Sequence, residues 1–397
     1  MKPFDLKAFT GADLADPYPV YREYLTGDPV HHNGEAWYVF GYDGVAHVLT
    51  SRDYGRRGPG GRATPIPPSH DTLSRIVENW LVFLDPPRHT ALRSLLAKEF
   101  SPAVVTGLRE RVRKIAGELL AGLGDAGEID LVEDFAAPLP ILVISELLGV
   151  PARLRSWFRR CAVDLQEAST ARATRNPGAL ARADGAASEL VEFFGGELGT
   201  RKPDDEDLVA LLVNAQRRGE ALTDEEIVST CVHLLTAGHE TTTNLISKSV
   251  LALLANPAAA AEPLAGLDVT PQVVEELNRF DTPVQMVTRW AHQDTALGGK
   301  PIRRGDKVVL VLGSANRDPA AFAEPDRLDL RRDSRRHCGF GLGIHYCLGA
   351  ALARTEAEIG LSVLFTNFPG LRLGGEPVRY ADDLVFHGPA RLPMLTR

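Results

Sequence analysis

The run Phe340-Gly341-Leu342-Gly343-Ile344-His345-Tyr346-Cys347-Leu348-Gly349 sets one cysteine among three glycines. Glycine permits tight backbone turns and lets a flat ligand come close to the main chain. A helix is predicted from Leu348 to Thr366, with Leu348, Leu352, Ile359 and Val363 on its apolar side, so Cys347 stands at a helix N-terminus. Free N–H groups and the helix dipole there favour thiolate over thiol. Such a thiolate has three chemical uses: nucleophile, zinc ligand, or single axial ligand of an iron macrocycle. Zinc is poorly supported, because His345 cannot supply the remaining ligands. A nucleophile needs a base, and no motif provides one. An inert buried cysteine explains neither the glycines nor the helix start.

A second group of reactive side chains lies inside the longest predicted helix. Thr223-Asp224-Glu225-Glu226 is a capping box, and the apolar residues Ile227, Leu234, Leu235, Leu245, Ile246, Val250, Leu253 and Leu254 run on to Asn256-Pro257. At 1.5 Å rise per residue, roughly 32 residues span about 48 Å, enough to cross a whole core. Its middle reads Ala237-Gly238-His239-Glu240-Thr241-Thr242-Thr243, which helix propensity disfavours. Threonine hydroxyls there can bond back to a carbonyl and bend the helix. The segment is either a packing kink or a functional site. Elsewhere, His89 and Arg93 are four apart and share a helical face, and Glu276 and Arg279 are three apart on a helix opened by Thr270-Pro271. By itself the second pair reads as an exposed salt bridge of little worth.

The elements that must position these groups are mostly helical. Asp85-Pro86 and Ser101-Pro102 each read as an N-cap followed by proline at the first helical position. Asn33-Gly34 between Val30 and the run Ala36 to Phe40 predicts a β-hairpin, with a second small β element around Leu297-Gly298-Gly299 and a strand from Lys307 to Leu312. Residues 55–70 form a Gly/Pro-rich loop long enough for a functional, mobile connection, and 168–205 read as exposed helices and loops. At 397 residues the chain is long enough for two or three domains, yet no linker or repeat divides it. A net charge of −8 gives no reason to expect nucleic acid. Cys161, Cys231, Cys338 and Cys347 show no paired spacing, which fits a reducing compartment. The acidic first residues do not read as a signal peptide. The most apolar run, Phe135 to Val150, contains two prolines and Glu146, so no membrane span and a cytoplasmic location are expected.

The cysteine loop resembles the haem-binding signature of the cytochrome P-450 family, F-G-x-G-x-H-x-C-x-G, followed here by Leu352-Ala353-Arg354. The resemblance extends to Ala237-Gly238-His239-Glu240-Thr241, similar to the family's oxygen-activating motif, and to Glu276-Leu277-Asn278-Arg279, its E-x-x-R motif. Pro325-Asp326-Arg327 is expected to supply the arginine that joins that pair. Asp85-Pro86-Pro87-Arg88-His89-Thr90 and Asn316-Arg317-Asp318-Pro319 look like soluble bacterial members. These matches cover nearly the whole chain. They imply a single mainly α domain over 1–397 with small β sheets, its haem lying between the long central helix and the cysteine-loop helix. His337-Cys338-Gly339-Phe340 departs from the His-Leu-Ala-Phe usual in close bacterial relatives and leaves Cys338 without a role unless it approaches the haem edge.

The resemblance implies haem b (iron protoporphyrin IX) with Cys347 as its metal ligand. Phe340, Gly341 and Ala237 would line the macrocycle, while His89, Arg93, Arg289 and His345 meet its propionates. Glu240 and Thr241 would be catalytic, relaying protons to oxygen. The implied reaction is hydroxylation or epoxidation of a small organic molecule of secondary metabolism, with ferredoxin and ferredoxin reductase as electron donors. Arg109 to Lys114 and Arg331 to Arg336 are two basic runs that could steer an acidic ferredoxin. Oxidative ring closure or phenol coupling uses the same machinery. A peroxide-driven peroxygenase typically lacks the acid–alcohol pair present here, and a non-catalytic haem sensor needs neither relay nor donor. The substrate pocket is expected between residues 60–83, parts of 160–190, His233 to Thr241, Thr282 to Thr288 and Asp383 to His387.

Overall fold

Glu226 N–H donates to Thr223 Oγ1 at 3.2 Å, and the Glu226 carboxylate accepts Thr223 N–H at 2.9 Å. This capping box opens one unbroken helix of 32 residues, Asp224–Ala255, in a computed structural model that describes residues 2–61, 66–124, 126–168, 176, 178–259 and 269–397. The helix is buried along most of its length and packs against helices Pro138–Leu147, Ala179–Leu198, Pro271–Phe280 and Ala350–Asn367. Several of its small polar residues bond back to the helix itself. Thr243 Oγ1 donates to His239 O at 3.0 Å and Ser247 Oγ to Thr243 O at 2.8 Å. Back-bonding therefore occurs without interrupting the helix.

The protein is mainly helical with small sheets. A five-stranded sheet holds the hairpin Val30–His32 and Trp37–Val39, with the predicted Asn33-Gly34 turn between them. Trp37–Val39 runs parallel to Lys307–Val311, which pairs with Met286–Ala291. Gly298 and Gly299, at φ +56° and +76°, turn the small hairpin Thr295–Leu297 and Lys300–Ile302, where positive φ favours glycine. No helix among the described residues is long and apolar enough to cross a membrane.

Local expectations fail at two places. The helix after Asp85 begins only at Arg88; the Asp85 carboxylate instead accepts the backbone N–H groups of Arg56 at 2.8 Å and Arg57 at 3.0 Å. The stretch read as exposed contains Ala179–Leu198, which buries Ala183, Ala186, Ala187, Leu190 and Phe194. Alanines give little hydropathy contrast, so this buried stripe is faint in sequence. Residues 169–175 and 177, and 62–65 of the Gly/Pro-rich loop, lie outside the described residues. Cys338 packs in the apolar cluster between the main sheet and helix Tyr42–Thr50, with its thiol pushed up to about 12 by burial.

Behind the cysteine loop, Glu276 and Arg279 are both fully buried. Arg279 clasps Glu276 through two N–H···O bonds of 2.7 Å and donates to the carbonyls of Asn316 at 2.9 Å and Pro325 at 2.8 Å. Burial opposes the Glu276 charge, but Arg279, Ser334 and the Asp329 N–H hold the carboxyl below its ordinary range. The arginine that joins the pair is Arg332, whose Nε lies 3.2 Å from Glu276. Arg327, expected there, is exposed and pairs with Glu324 at 3.1 Å. Breaking a buried pair from one side costs about 3–5 kcal/mol. Arg279→Met is therefore expected to lower the unfolding free energy by that order and to reduce haem content on purification. Arg327→Met should change neither, as urea titration and the haem-to-protein absorbance ratio will show.

Candidate functional site

The cysteine loop is built on two left-handed glycines. Gly341 and Gly343 both have φ +69°, and a Cβ on Gly343 would lie 2.5 Å from Leu49 O, so the loop seats directly on the end of helix Tyr42–Thr50. Gly349, by contrast, is the N-cap of Ala350–Asn367 with φ −85° and open space around it; the helix starts two residues later than predicted. Cys347 N–H donates to Phe340 O at 2.8 Å, closing the loop. Burial raises the Cys347 thiol, against the opposing effects of the Gly349 N–H, Arg354 and Arg93. The expected helix-end field is present but weaker than desolvation; coordination to a cation would deprotonate the thiol outright.

A second buried carboxylate, Glu275, braces this loop. It meets His337 Nε2 at 2.7 Å and pairs with Arg354, which donates to Tyr346 Oη at 2.7 Å and lies 4.4 Å from the centre of the Phe340 ring. The sequence reading passed over Glu275 because its neighbour Glu276 completes the recognisable spacing.

At one side of the loop, His89, Arg93, Arg289 and His345 come together. The His89 and His345 rings are 4.2 Å apart, and Arg93 Nη2 donates to Tyr346 O at 2.6 Å. Burial lowers the His89 and Arg93 pKa values and brings Arg289 to about 9; burial and the neighbouring cations take His345 down to about 2. Both nitrogens of His89 and Nε2 of His345 are buried without a partner among the described residues. Unpaired buried donors crowded by cations are arranged for an anion. The propionates of haem fit that requirement. Arg56, which sequence reasoning missed, joins the group: its Nε donates to Val82 O at 2.7 Å, it also bonds Thr288 O, and burial brings it to about 10. Nothing in the Gly/Arg-rich loop signals that this arginine turns inward.

On the central helix, Ala237 is exposed and Glu240 and Thr241 are half-buried, although most of the helix around them is buried. Thr241 Oγ1 donates to Ala237 O at 3.0 Å. The accessible strip and the helix's packing against the cysteine-loop helix are compatible with a flat macrocycle between the two.

The basic runs fare unequally. Arg109 pairs with Glu358, Arg111 with Glu146, Arg113 with Glu110 and Lys114 with Glu118, so 109–114 offers no free basic face. In the other run Arg332 is committed to Glu276, Arg335 pairs with Asp333 at 2.7 Å and Arg336 lies over the Tyr42 ring, yet Arg331, Arg335 and Arg336 are all solvent-exposed.

Residues 172–263 and 261–371 match the family model described as Cytochrome P450. Cytochrome P450 monooxygenase PikC of Streptomyces venezuelae is 37% identical over 412 residues, covering 99% of this chain and 94% of PikC. Cyclomarin C epoxidase CymV of Salinispora arenicola is 35% identical, covering 97% and 94%. The crystal structure of CalO2 superposes with a TM-score of 0.89 at 33% identity, covering 100% of this chain and 99% of that one.

Glu356 was also missed, though its place on the apolar stripe with Leu352, Ile359 and Val363 marks it in sequence. It is 2% exposed, and burial raises it to about 8 despite a hydrogen bond from Thr242. The folded state therefore holds a proton that the unfolded chain releases above its ordinary value of 4.5. Stability from this group is full below that value and lost as pH rises through about 8. Glu356→Gln should match wild type at pH 4 and gain a few degrees in melting temperature at pH 9.

Proposed function

Because the chain belongs to the cytochrome P450 family, whose members are haem-thiolate monooxygenases, we propose that Cys347 ligates the haem iron and that the protein hydroxylates or epoxidises a small lipophilic molecule of secondary metabolism. The observation that carries this reading is the juxtaposition of one cysteine on a glycine-built loop with a buried cluster of unpaired imidazoles and cations. Haem bound through a thiolate supplies dioxygen chemistry, the sulfur's electron density favouring O–O cleavage.

The chain's own residues bind, orient and move protons. His89, Arg93, Arg289, His345 and Arg56 would compensate the two carboxylates of the macrocycle, and Phe340, Gly341 and Ala237 would line its faces. The Thr241 hydroxyl donates to Ala237 O in the resting arrangement. Rotation about its Cα–Cβ bond turns that proton toward the cleft. Glu240, the next residue round the helix, is half-buried and can pass protons from water to the hydroxyl. Exposed Arg331, Arg335 and Arg336, just before the cysteine loop, support docking of an acidic ferredoxin, whose reductase completes the electron supply. The epoxidase among the relatives supports epoxidation as one outcome.

Cys347→Ser should abolish the thiolate-type absorbance band of the reduced, CO-bound protein; retention of that band excludes Cys347 as ligand. Thr241→Ala should leave NAD(P)H consumption near the wild-type rate while product falls several-fold and hydrogen peroxide accumulates. Unchanged coupling would remove the hydroxyl from the relay.

A further inference from the structure

His233 stands four residues before Ala237 and eight before Thr241 on the central helix, so the three share one helical face. Its side chain is 7% exposed, and its Nδ1 is buried with no partner among the described residues. Burial lowers its pKa to about 4, so the ring is neutral at physiological pH. The Trp80 ring stacks on it at 5.2 Å and 22°, and Trp80 Nε1 is likewise buried and unpartnered. Trp80 stacks in turn on Phe83 at 6.3 Å, and Phe83 lies beneath the Arg56 guanidinium at 5.2 Å. A continuous aromatic wall thus runs from the catalytic face of the central helix to the cationic end of the site.

Leaving a polar group buried and unbonded costs about 1–3 kcal/mol. Phenylalanine at 233 would give the same stack without that cost. A metal ion is excluded as the explanation, since no cluster of three ligating side chains occurs among the described residues. A carboxylate is disfavoured because, unlike His89 and His345 with their neighbouring arginines, His233 is buried as a neutral ring with no charged group shifting it. What a neutral imidazole and an indole N–H offer is two donors and one acceptor. That set suits a hydroxyl or a carbonyl.

We propose that His233, its ring plane held by Trp80, is a specificity-determining residue that hydrogen-bonds an uncharged hydroxyl or carbonyl of an elongated, otherwise apolar substrate. This rests on the monooxygenase reading above and deepens it. At 1.5 Å rise per residue, the polar anchor lies about 6–12 Å along the helix from Ala237 and Thr241, which sets the spacing between the substrate's oxygen and its oxidised carbon.

The test titrates the holoenzyme with 2-dodecanone, 2-dodecanol, dodecane and dodecanoate, following the haem absorbance shift. Wild type should bind the ketone and alcohol about tenfold more tightly than the alkane or the carboxylate, the scale of one hydrogen bond. His233→Phe keeps the stack and should erase that preference while leaving dodecane affinity unchanged. His233→Gln, which retains a donor and an acceptor, should restore part of it. If His233→Phe fails to incorporate haem, loss of the preference in Trp80→Phe and its retention in His233→Gln decide the matter. Survival of the preference in His233→Phe overturns the proposal, as does its absence in wild type or tightest binding of dodecanoate. Equilibrium binding requires neither oxygen nor electrons. Bound but unoxidised probes would sink the monooxygenase reading alone, whereas oxidation without the binding order would sink only this proposal.

Discussion

The carboxylate of Glu276 is the point on which the cysteine side of the molecule hangs. Buried with no accessible surface, it is satisfied by Arg279, Arg332, Ser334 and the Asp329 N–H, which come from a helix and from a loop more than fifty residues further on. A buried charge tolerates no missing partner. The chain between Asp329 and Ser334 is consequently held against helix Pro271–Phe280, and the loop that follows inherits that position. Glu275 repeats the arrangement one residue earlier, reaching His337 and Arg354 on either side of Cys347. Two adjacent acids of one helix thereby position the loop from behind, leaving its glycines to shape the other face.

Charge on that other face is distributed asymmetrically. Cations and unpaired imidazoles crowd one side, where burial depresses their protonation and an anionic group would relieve the strain. Near His233 and Thr242 of the central helix the polar groups carry little charge: burial lowers His233, burial raises Glu356 of the neighbouring helix Ala350–Asn367 to about 8, and the Thr241 hydroxyl bonds its own helix. On the proposed reading, the anionic end of the macrocycle and the uncharged body of the substrate would meet differently charged surroundings.

The central helix carries a further polar burden that is fully paired. Lys248, 1% exposed, meets Asp281 at 2.8 Å, the Thr282 carbonyl at 3.0 Å and His387 Nδ1 at 2.7 Å. Burial, with Lys248 nearby, lowers His387 to about 4, so its Nδ1 accepts from the ammonium while Nε2 donates to Leu14 O at 2.7 Å. This network ties the N-terminal region, the central helix and the C-terminal loop together.

What the sequence alone determined is local. A capping box, an Asn-Gly hairpin, proline after Ser101 and the glycine-cysteine spacing each act through neighbours within a few residues, and each formed where it was read. The family motifs extended this to the mainly helical fold and to the residues gathered around the cysteine. Partnership across the chain was decided only by the tertiary structure. Arg332 rather than Arg327 reaches Glu276, Cys338 turns into a sheet-side core, Arg109 and Arg111 meet acids of other helices, and Arg56 turns inward. A charged or polar side chain shows its type in sequence but not its depth. Desolvation, which sets its pKa and the worth of each pairing, depends on which distant segments pack over it.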